Sequence, residues 1–244
     1  MRIANRKRFT LSCIFFTLLM LIIGKNQIVF SEGKVFKVTS SPEAKELGKN
    51  DNAVLKNKKR YIVILDAGHG GIDKGTSYQN INEKDIAFKI TKYTETVLKS
   101  KGYTVILTRN EDKLLPLKEI GNIVNAAKGN VFVSIHINSI KDPSYKGMTT
   151  YYYAPEGYQK DERVKLSKTI QKEVVKSDGW EDKGIKTQNL AVLRYSEIPC
   201  ALVECGFITN KEDREKLLKE EVLRNISENI SRGIIKYLNE SEGN

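Results

Sequence analysis

The stretch Tyr61-Ile62-Val63-Ile64-Leu65-Asp66-Ala67-Gly68-His69-Gly70-Gly71 decides the fold. An apolar, β-branched run ends on an acid and breaks into glycines. That is the pattern of a buried strand whose C-terminal end presents a histidine. The chain has two histidines, and the other, His136, closes a run of the same kind, Val131-Phe132-Val133-Ser134-Ile135-His136. In open α/β sheets, sites form outside the carboxyl ends of the strands. A single histidine there is ordinarily a packed or exposed bystander. Two imidazoles delivered from separate strands suggest a metal site.

Outward from these two strands, helical and strand patterns alternate. Asn82 reads as an N-cap with Asp85 as its capping-box partner. It opens a helix from Glu83 to about Lys101, with Ile86, Ile90, Tyr93 and Val97 as the buried stripe and Gly102 as the stop. Tyr103 to Thr108 reads as a strand. Leu117, Ile120, Val124 and Ala127 lie on one face of the next helix, ended by Gly129. Gly147 to Tyr153 is expected to be a strand, Asp161 to Ser177 a helix, and residues 178–190 a long loop holding the only tryptophan, Trp180. Ala191 to Arg194 and Ala201 to Glu204 read as short strands. Asn210 caps a helix over 211–219, and a last helix over about 221–238 buries Val222, Ile226, Ile230 and Ile234. The alternation predicts an α/β fold: a three-layer sandwich with a central, mostly parallel sheet of about six strands and helices on both faces.

The folded domain is expected over residues 60–240, preceded by two other segments. Residues 1–31 carry Arg2, Arg6, Lys7, Arg8 and Lys25, no acid, and an uncharged, mostly apolar run over 9–24. This is the composition of a secretory signal peptide. A retained N-terminal membrane anchor is the second reading, because the run is short for a hydrocarbon core of ~30 Å. Either way the chain is exported across the cytoplasmic membrane, and contact with membrane comes only through this segment. Residues 32–59 are polar and read as a spacer. The formal charge of the whole chain is +11, and removing the five basic residues of the first segment leaves +6. That balance suits an anionic polymer such as a bacterial wall, and equally suits plain solubility. No basic run is interleaved with aromatics, so nucleic acid is not indicated. Of the three cysteines, Cys13 falls in the signal, and Cys200 and Cys205 would stand ~16 Å apart along one strand, too far to bridge. They read as small core residues.

A hydrolytic zinc site takes three ligands from His and Asp/Glu and leaves a fourth position open. With His69 and His136 in hand, the third ligand should be a carboxylate. Glu83 opens the first helix directly after the glycine loop, although a first-turn acid also complements the helix dipole with no further task. Asp66 and Asp73 compete for the place, and Asp66 could instead orient a ligand histidine. Such a site also needs a base. Glu204 ends an apolar strand, where a carboxylate costs desolvation unless it has a partner or a task. The alternative is a strand-end acid turned to solvent. The glycine turn lacks the G-x-G-x-x-G spacing and a P-loop lysine, so a nucleotide site is not supported.

Four segments taken together carry more. Leu65-Asp66-Ala67-Gly68-His69-Gly70-Gly71, Asn82-Glu83, Ser134-Ile135-His136-Ile137-Asn138-Ser139 and Leu202-Val203-Glu204-Cys205-Gly206-Phe207-Ile208-Thr209-Asn210 resemble, in order, the zinc-dependent N-acetylmuramoyl-L-alanine amidases of bacterial cell walls. The resemblance covers about residues 60–238. It implies Zn2+ held by His69, Glu83 and His136, with Glu204 as the catalytic glutamate. Val192-Leu193-Arg194 and Pro199 match the segment before the last motif. Arg194 and Asn138 are the candidates to face substrate, with a surface ion pair the alternative for Arg194. One departure is Ile120, where many members of the family carry arginine.

What the resemblance implies is hydrolysis of the amide between N-acetylmuramic acid and L-alanine in peptidoglycan. A signal segment with a bare catalytic domain is similar to the germination-specific amidases of spore-forming bacteria, which act in making spore cortex with muramic lactam. The expected location is then the cell wall or the forespore intermembrane space. The need for an accessory protein in activation stays open. The rival readings are a zinc peptidase cutting within the stem peptide and a non-enzymatic wall-binding module.

Overall fold

The computed structural model describes residues 61–241. The expected signal or anchor over 1–31 and the spacer over 32–59 lie outside the described residues. Among these, no helix is long and apolar enough to cross a membrane.

The elements run β1 (Ile62–Ala67), β2 (Ser77–Tyr78), β3 (Ile81–Asn82), α1 (Glu83–Ser100), β4 (Thr104–Leu107), α2 (Leu117–Ala126), β5 (Val131–Asn138), β6 (Met148–Tyr152), α3 (Lys160–Val174), β7 (Asp182–Thr187), α4 (Ala191–Arg194), β8 (Cys200–Phe207), α5 (Lys211–Leu217) and α6 (Glu220–Glu240). Six strands form one sheet in the order β4-β1-β5-β8-β6-β7, and β2 pairs with β3 in a separate hairpin. β4, β1, β5 and β8 run parallel. β6 is antiparallel to β8, and β7 runs parallel to β6. The sheet is therefore mixed and mostly parallel, as the alternation of elements predicts.

Alternate residues of the central strands face two cores, because successive side chains of a strand point to opposite sides. Val63, Leu65, Val133, Ile135 and Val203 pack with α1, α3 and α6 through Ile90, Leu166, Ile170, Ile226 and Ile230. Ile64, Phe132 and Leu202 pack on the other face with α2 and α4 through Ile120, Val124, Val192 and Leu193. Helices thus cover both faces in three layers.

The structure corrects several local expectations. Ala191–Arg194 is a helical turn, not a strand: the amides of Leu193 and Arg194 both donate to the Leu190 carbonyl. The sixth strand is instead β7, inside the stretch expected to be a loop. The α1 stripe rotates from Tyr93 and Val97 to Thr94 and Leu98. Buried Thr91 and Thr94 turn their hydroxyls back to the carbonyls of Ala87 and Ile90, so burial leaves no polar atom unpaired. Asn82 makes no side-chain cap; its amide donates to Asp85 at 2.9 Å. Asn210 does cap α5, accepting from the Asp213 amide at 3.0 Å. Leu117 is half exposed at the start of α2. Cys200 and Cys205 are buried, free thiols of one strand, as expected of small core residues.

Candidate active site

β1 ends at Ala67, and the chain turns through Gly68, His69, Gly70 and Gly71. His69 itself adopts a left-handed conformation (φ +63°), uncommon for a residue with a β-carbon and retained only where surroundings enforce it. One enforcing group is Arg109, just beyond β4, which is buried. Its guanidinium donates to the carbonyls of Ala67 (2.9 Å), Gly68 (3.3 Å), Lys84 (3.1 Å) and Glu111 (3.0 Å). A single fork thus ties the backbone before His69 to the backbone after Glu83.

β5 carries His136 near its end, in parallel register with Glu204 of β8. Glu83, the first residue of α1, is buried between the two imidazoles. Its Oε1 lies 2.8 Å from His136 Nδ1 and accepts from the Ile137 amide at 3.1 Å. Its Oε2 lies 3.2 Å from His69 Nε2 and accepts from the Thr76 amide at 2.9 Å. The two rings stand edge to face with centroids 5.1 Å apart. One ligand atom from each of His69, Glu83 and His136 falls within 4.8 Å of the others.

Two glycines keep this cradle open. A β-carbon on Gly75 would sit 2.5 Å from Glu83 Oε2 and 2.6 Å from His69 Cδ2; one on Gly68 would strike the His136 ring at 2.4 Å. The donor set, two imidazoles and one carboxylate, is that of hydrolytic zinc sites, and the residues fit such an ion.

Of the competing acids, Asp73 orients His69: its Oδ2 meets Nδ1 at 2.8 Å, leaving Nε2 to face Glu83. Carboxylates behind ligand histidines fix the tautomer in this way. Asp66 is occupied elsewhere, accepting from the hydroxyls of Thr108 (2.5 Å) and Ser134 (2.6 Å). The roles of Asp73 and Arg109 escape the sequence reading. The sequence offers only an acid four residues after the histidine, and Arg109 acts through backbone carbonyls that no spacing reveals.

The charges of the cluster are coupled. The hydrogen bond to Glu83 raises the His69 pKa to about 9 against the opposing effect of burial. Burial alone would raise the Glu83 carboxyl, but hydrogen bonds with His136 and His69 outweigh it and hold the group well below the usual range. Glu204 goes the other way: burial pushes its pKa up to about 7. Its Oε2 is shut off from solvent and has no hydrogen-bond partner. An unpaired, buried carboxyl oxygen with a neutral-range pKa is the profile of a general base or acid.

Beside the cluster opens a cavity of about 560 Å³, lined by His69, His136, Asp66 and Asp73 and by apolar side chains that include Leu115, Ile120, Val192 and Leu202. Ile120 is therefore part of its wall. Asn138 and Arg194 are not among the lining residues. Asn138 accepts from the Ser139 amide through its side chain, and exposed Arg194 donates to Asn189.

The family described as N-acetylmuramoyl-L-alanine amidase matches residues 63–236 of this chain. The uncharacterised protein YqiI of Bacillus subtilis is 35% identical over 175 residues, a match that takes in 72% of this chain and 84% of that one. Among solved structures, an N-acetylmuramoyl-L-alanine amidase from Clostridium difficile 630 is 34% identical with a TM-score of 0.70, covering 74% of this chain and 97% of its own. The CwlD amidase from Clostridioides difficile, solved in complex with the GerS lipoprotein, is 32% identical with a TM-score of 0.66, covering 74% and 99%.

Proposed function

The chain belongs to the N-acetylmuramoyl-L-alanine amidase family, and from that premise we propose that His69, Glu83 and His136 hold one zinc ion and that Glu204 is the base of the hydrolysis. The observation that carries the proposal is the convergence of three ligand atoms within 4.8 Å, one strand away from a carboxylate with an unpaired, buried oxygen. A bound zinc ion supplies Lewis acidity, which polarises a carbonyl and makes water a competent nucleophile near neutral pH. The chain's own groups do the rest. Glu204 takes a proton from the attacking water as its oxygen bonds to the lactyl carbonyl carbon. As the carbon–nitrogen bond breaks, Glu204 returns that proton to the departing nitrogen. The products are a lactyl carboxylate on the glycan and a peptide with a free L-alanine amino group. Asp73 holds His69 in the required tautomer, and Arg109 fixes the backbone that presents His69 and Glu83.

We place this activity outside the cytoplasmic membrane, in the making of spore cortex. Support for that narrower role comes from the basic and apolar N-terminal segment ahead of the amidase domain, an arrangement similar to that of germination-specific amidases. The CwlD amidase, similar to this chain, was solved with the GerS lipoprotein, which supports an accessory protein as a partner here.

Elemental analysis tests the metal assignment. Purified protein should contain one zinc per chain, and His136→Ala should lose the metal while keeping a cooperative thermal transition. Full zinc occupancy in that variant would overturn the ligand set.

A further inference from the structure

The substrate of the proposed amidase is chemically lopsided. On one side of the scissile amide lies an uncharged glycan; on the other, past L-alanine, lies a peptide carrying carboxylates. The site is lopsided in the same sense. The cavity beside His69 is walled by apolar side chains, and its charged lining members besides the histidines are the carboxylates Asp66 and Asp73, with no lysine or arginine. A peptide carboxylate would lose its hydration there and meet no lysine or arginine in exchange.

The opposite flank differs. Residues paired side by side on neighbouring strands project to the same face of a sheet. Glu204 stands opposite Thr149, and Leu202 stands opposite Tyr151. Tyr151 in turn pairs with Lys186 of β7. Glu204, Tyr151 and Lys186 therefore share one face, in a line running from the catalytic group towards the sheet edge. Tyr145 completes the surface. Its hydroxyl accepts from Lys186 Nζ at 3.4 Å, and its ring lies 4.3 Å from Lys183 Nζ and edge-on to Phe207 at 5.0 Å. Lys183 is neutralised by Glu181 at 2.5 Å. Lys186 has no acidic side chain within ion-pair distance among the described residues, and it is exposed while both tyrosines are half-buried. Burial raises the Tyr151 phenol, with Glu204 and Tyr145 adding to the shift, so it keeps its proton and can donate.

We propose that Lys186, with the phenols of Tyr145 and Tyr151, forms a carboxylate-recognising subsite for the stem-peptide residues that follow L-alanine. It would fix which side of Glu204 the peptide occupies. This rests on the amidase reading for the identity of the ligand. An ammonium bonded to one phenol and paired across the β6–β7 ladder with a second matches a carboxylate, and the line from Glu204 through Tyr151 gives an extended peptide a direct path. A lysine on an edge strand also discourages strand addition, but that role would not distinguish a charged peptide from a neutral one.

The test measures binding by calorimetry, so it does not depend on turnover. The probes are the tripeptide L-Ala-D-Glu-diaminopimelic acid and the same peptide with its side-chain and α-carboxyl groups amidated. The full chain should bind the free acid about tenfold more tightly, the scale of one charge-assisted hydrogen bond. Lys186→Gln should bind both peptides equally, with unchanged zinc content, and Lys186→Arg should restore the preference. Equal affinity of the unaltered protein for the two peptides, or an undiminished preference in Lys186→Gln, would overturn the subsite. If the preference holds while peptidoglycan is not hydrolysed, the subsite stands and the amidase reading fails.

Discussion

Glu204 lies directly across the β5–β8 ladder from His136, on the same face of the sheet, and its Oε2 is buried without a hydrogen-bond partner. The parallel register brings a proposed base and a proposed metal ligand to one strand end, with no loop between them whose movement could separate them.

The first prediction follows from this pairing. Glu204→Gln keeps the shape of the side chain and removes its capacity to accept a proton. General acid–base groups typically contribute about 10²–10⁴ in rate. Amide hydrolysis should fall by at least that factor while zinc content, measured by elemental analysis, stays at one per chain. A variant within tenfold of the unaltered protein would show that Glu204 is not the base.

The cluster also sets a pH dependence. In the metal-free protein the His69 pKa is raised to about 9 by its hydrogen bond to Glu83, against an unfolded value near 6.5. His136 moves in the same direction. A raised histidine pKa contributes stability that is fully present below about 6.5 and is lost as pH rises through about 9. Glu204, raised by burial to about 7, also favours the folded state less once it ionises, so the trends agree. Zinc takes the deprotonated imidazoles, so its stabilising effect grows with pH. The Tm in EDTA should fall from pH 6 to pH 9, and the gain on adding zinc should widen. A Tm in EDTA that rises over this range would contradict the coupling.

The glycine cradle makes a prediction with an internal control. Gly75 has φ +64°, and an added β-carbon would lie 2.5 Å from Glu83 Oε2. Gly102 has a similar conformation (φ +88°) but nothing within 4 Å of an added β-carbon. Both Gly→Ala changes carry backbone strain of about 1 kcal/mol or more. Only Gly75→Ala should also weaken zinc binding, by roughly the 10–100-fold seen when the support of a metal site is lost. Chelator competition checks this. Equal zinc affinity in the two variants would show that Gly75 does not shape the site.

Much of this arrangement is legible in the sequence where burial and chemistry act on contiguous residues. β1 and β5 are apolar runs that deliver a histidine, His69 just beyond the end of β1 and His136 near the end of β5, and Glu83 opens a strongly periodic helix after a turn. Other parts depend on tertiary context. β7 reads Asp-Lys-Gly-Ile-Lys-Thr, too polar and glycine-broken to announce an edge strand, and it exists through pairing with β6. Ala191 to Arg194 is an apolar run of four, a length at which strand and helical turn look alike. Arg109 and Asp73 act on groups brought near them by folding: one on the carbonyls of Ala67, Gly68 and Lys84, 25 and more residues away, the other on a histidine held at positive φ.

The central claim concerns which bond is cut. Hydrolysis between muramic acid and L-alanine leaves a new free amino group on L-alanine and creates no reducing sugar end. Glycosidases need a pair of carboxyl groups suited to the sugar, whereas the proposed chemistry here uses a single base beside the His–Glu–His cluster. The most direct measurement is to digest purified peptidoglycan with the zinc-loaded protein, label new amino termini, and assay reducing ends in parallel. The account predicts label on L-alanine with reducing ends unchanged. Rising reducing ends, or label confined to D-alanine or the diamino acid, would contradict it.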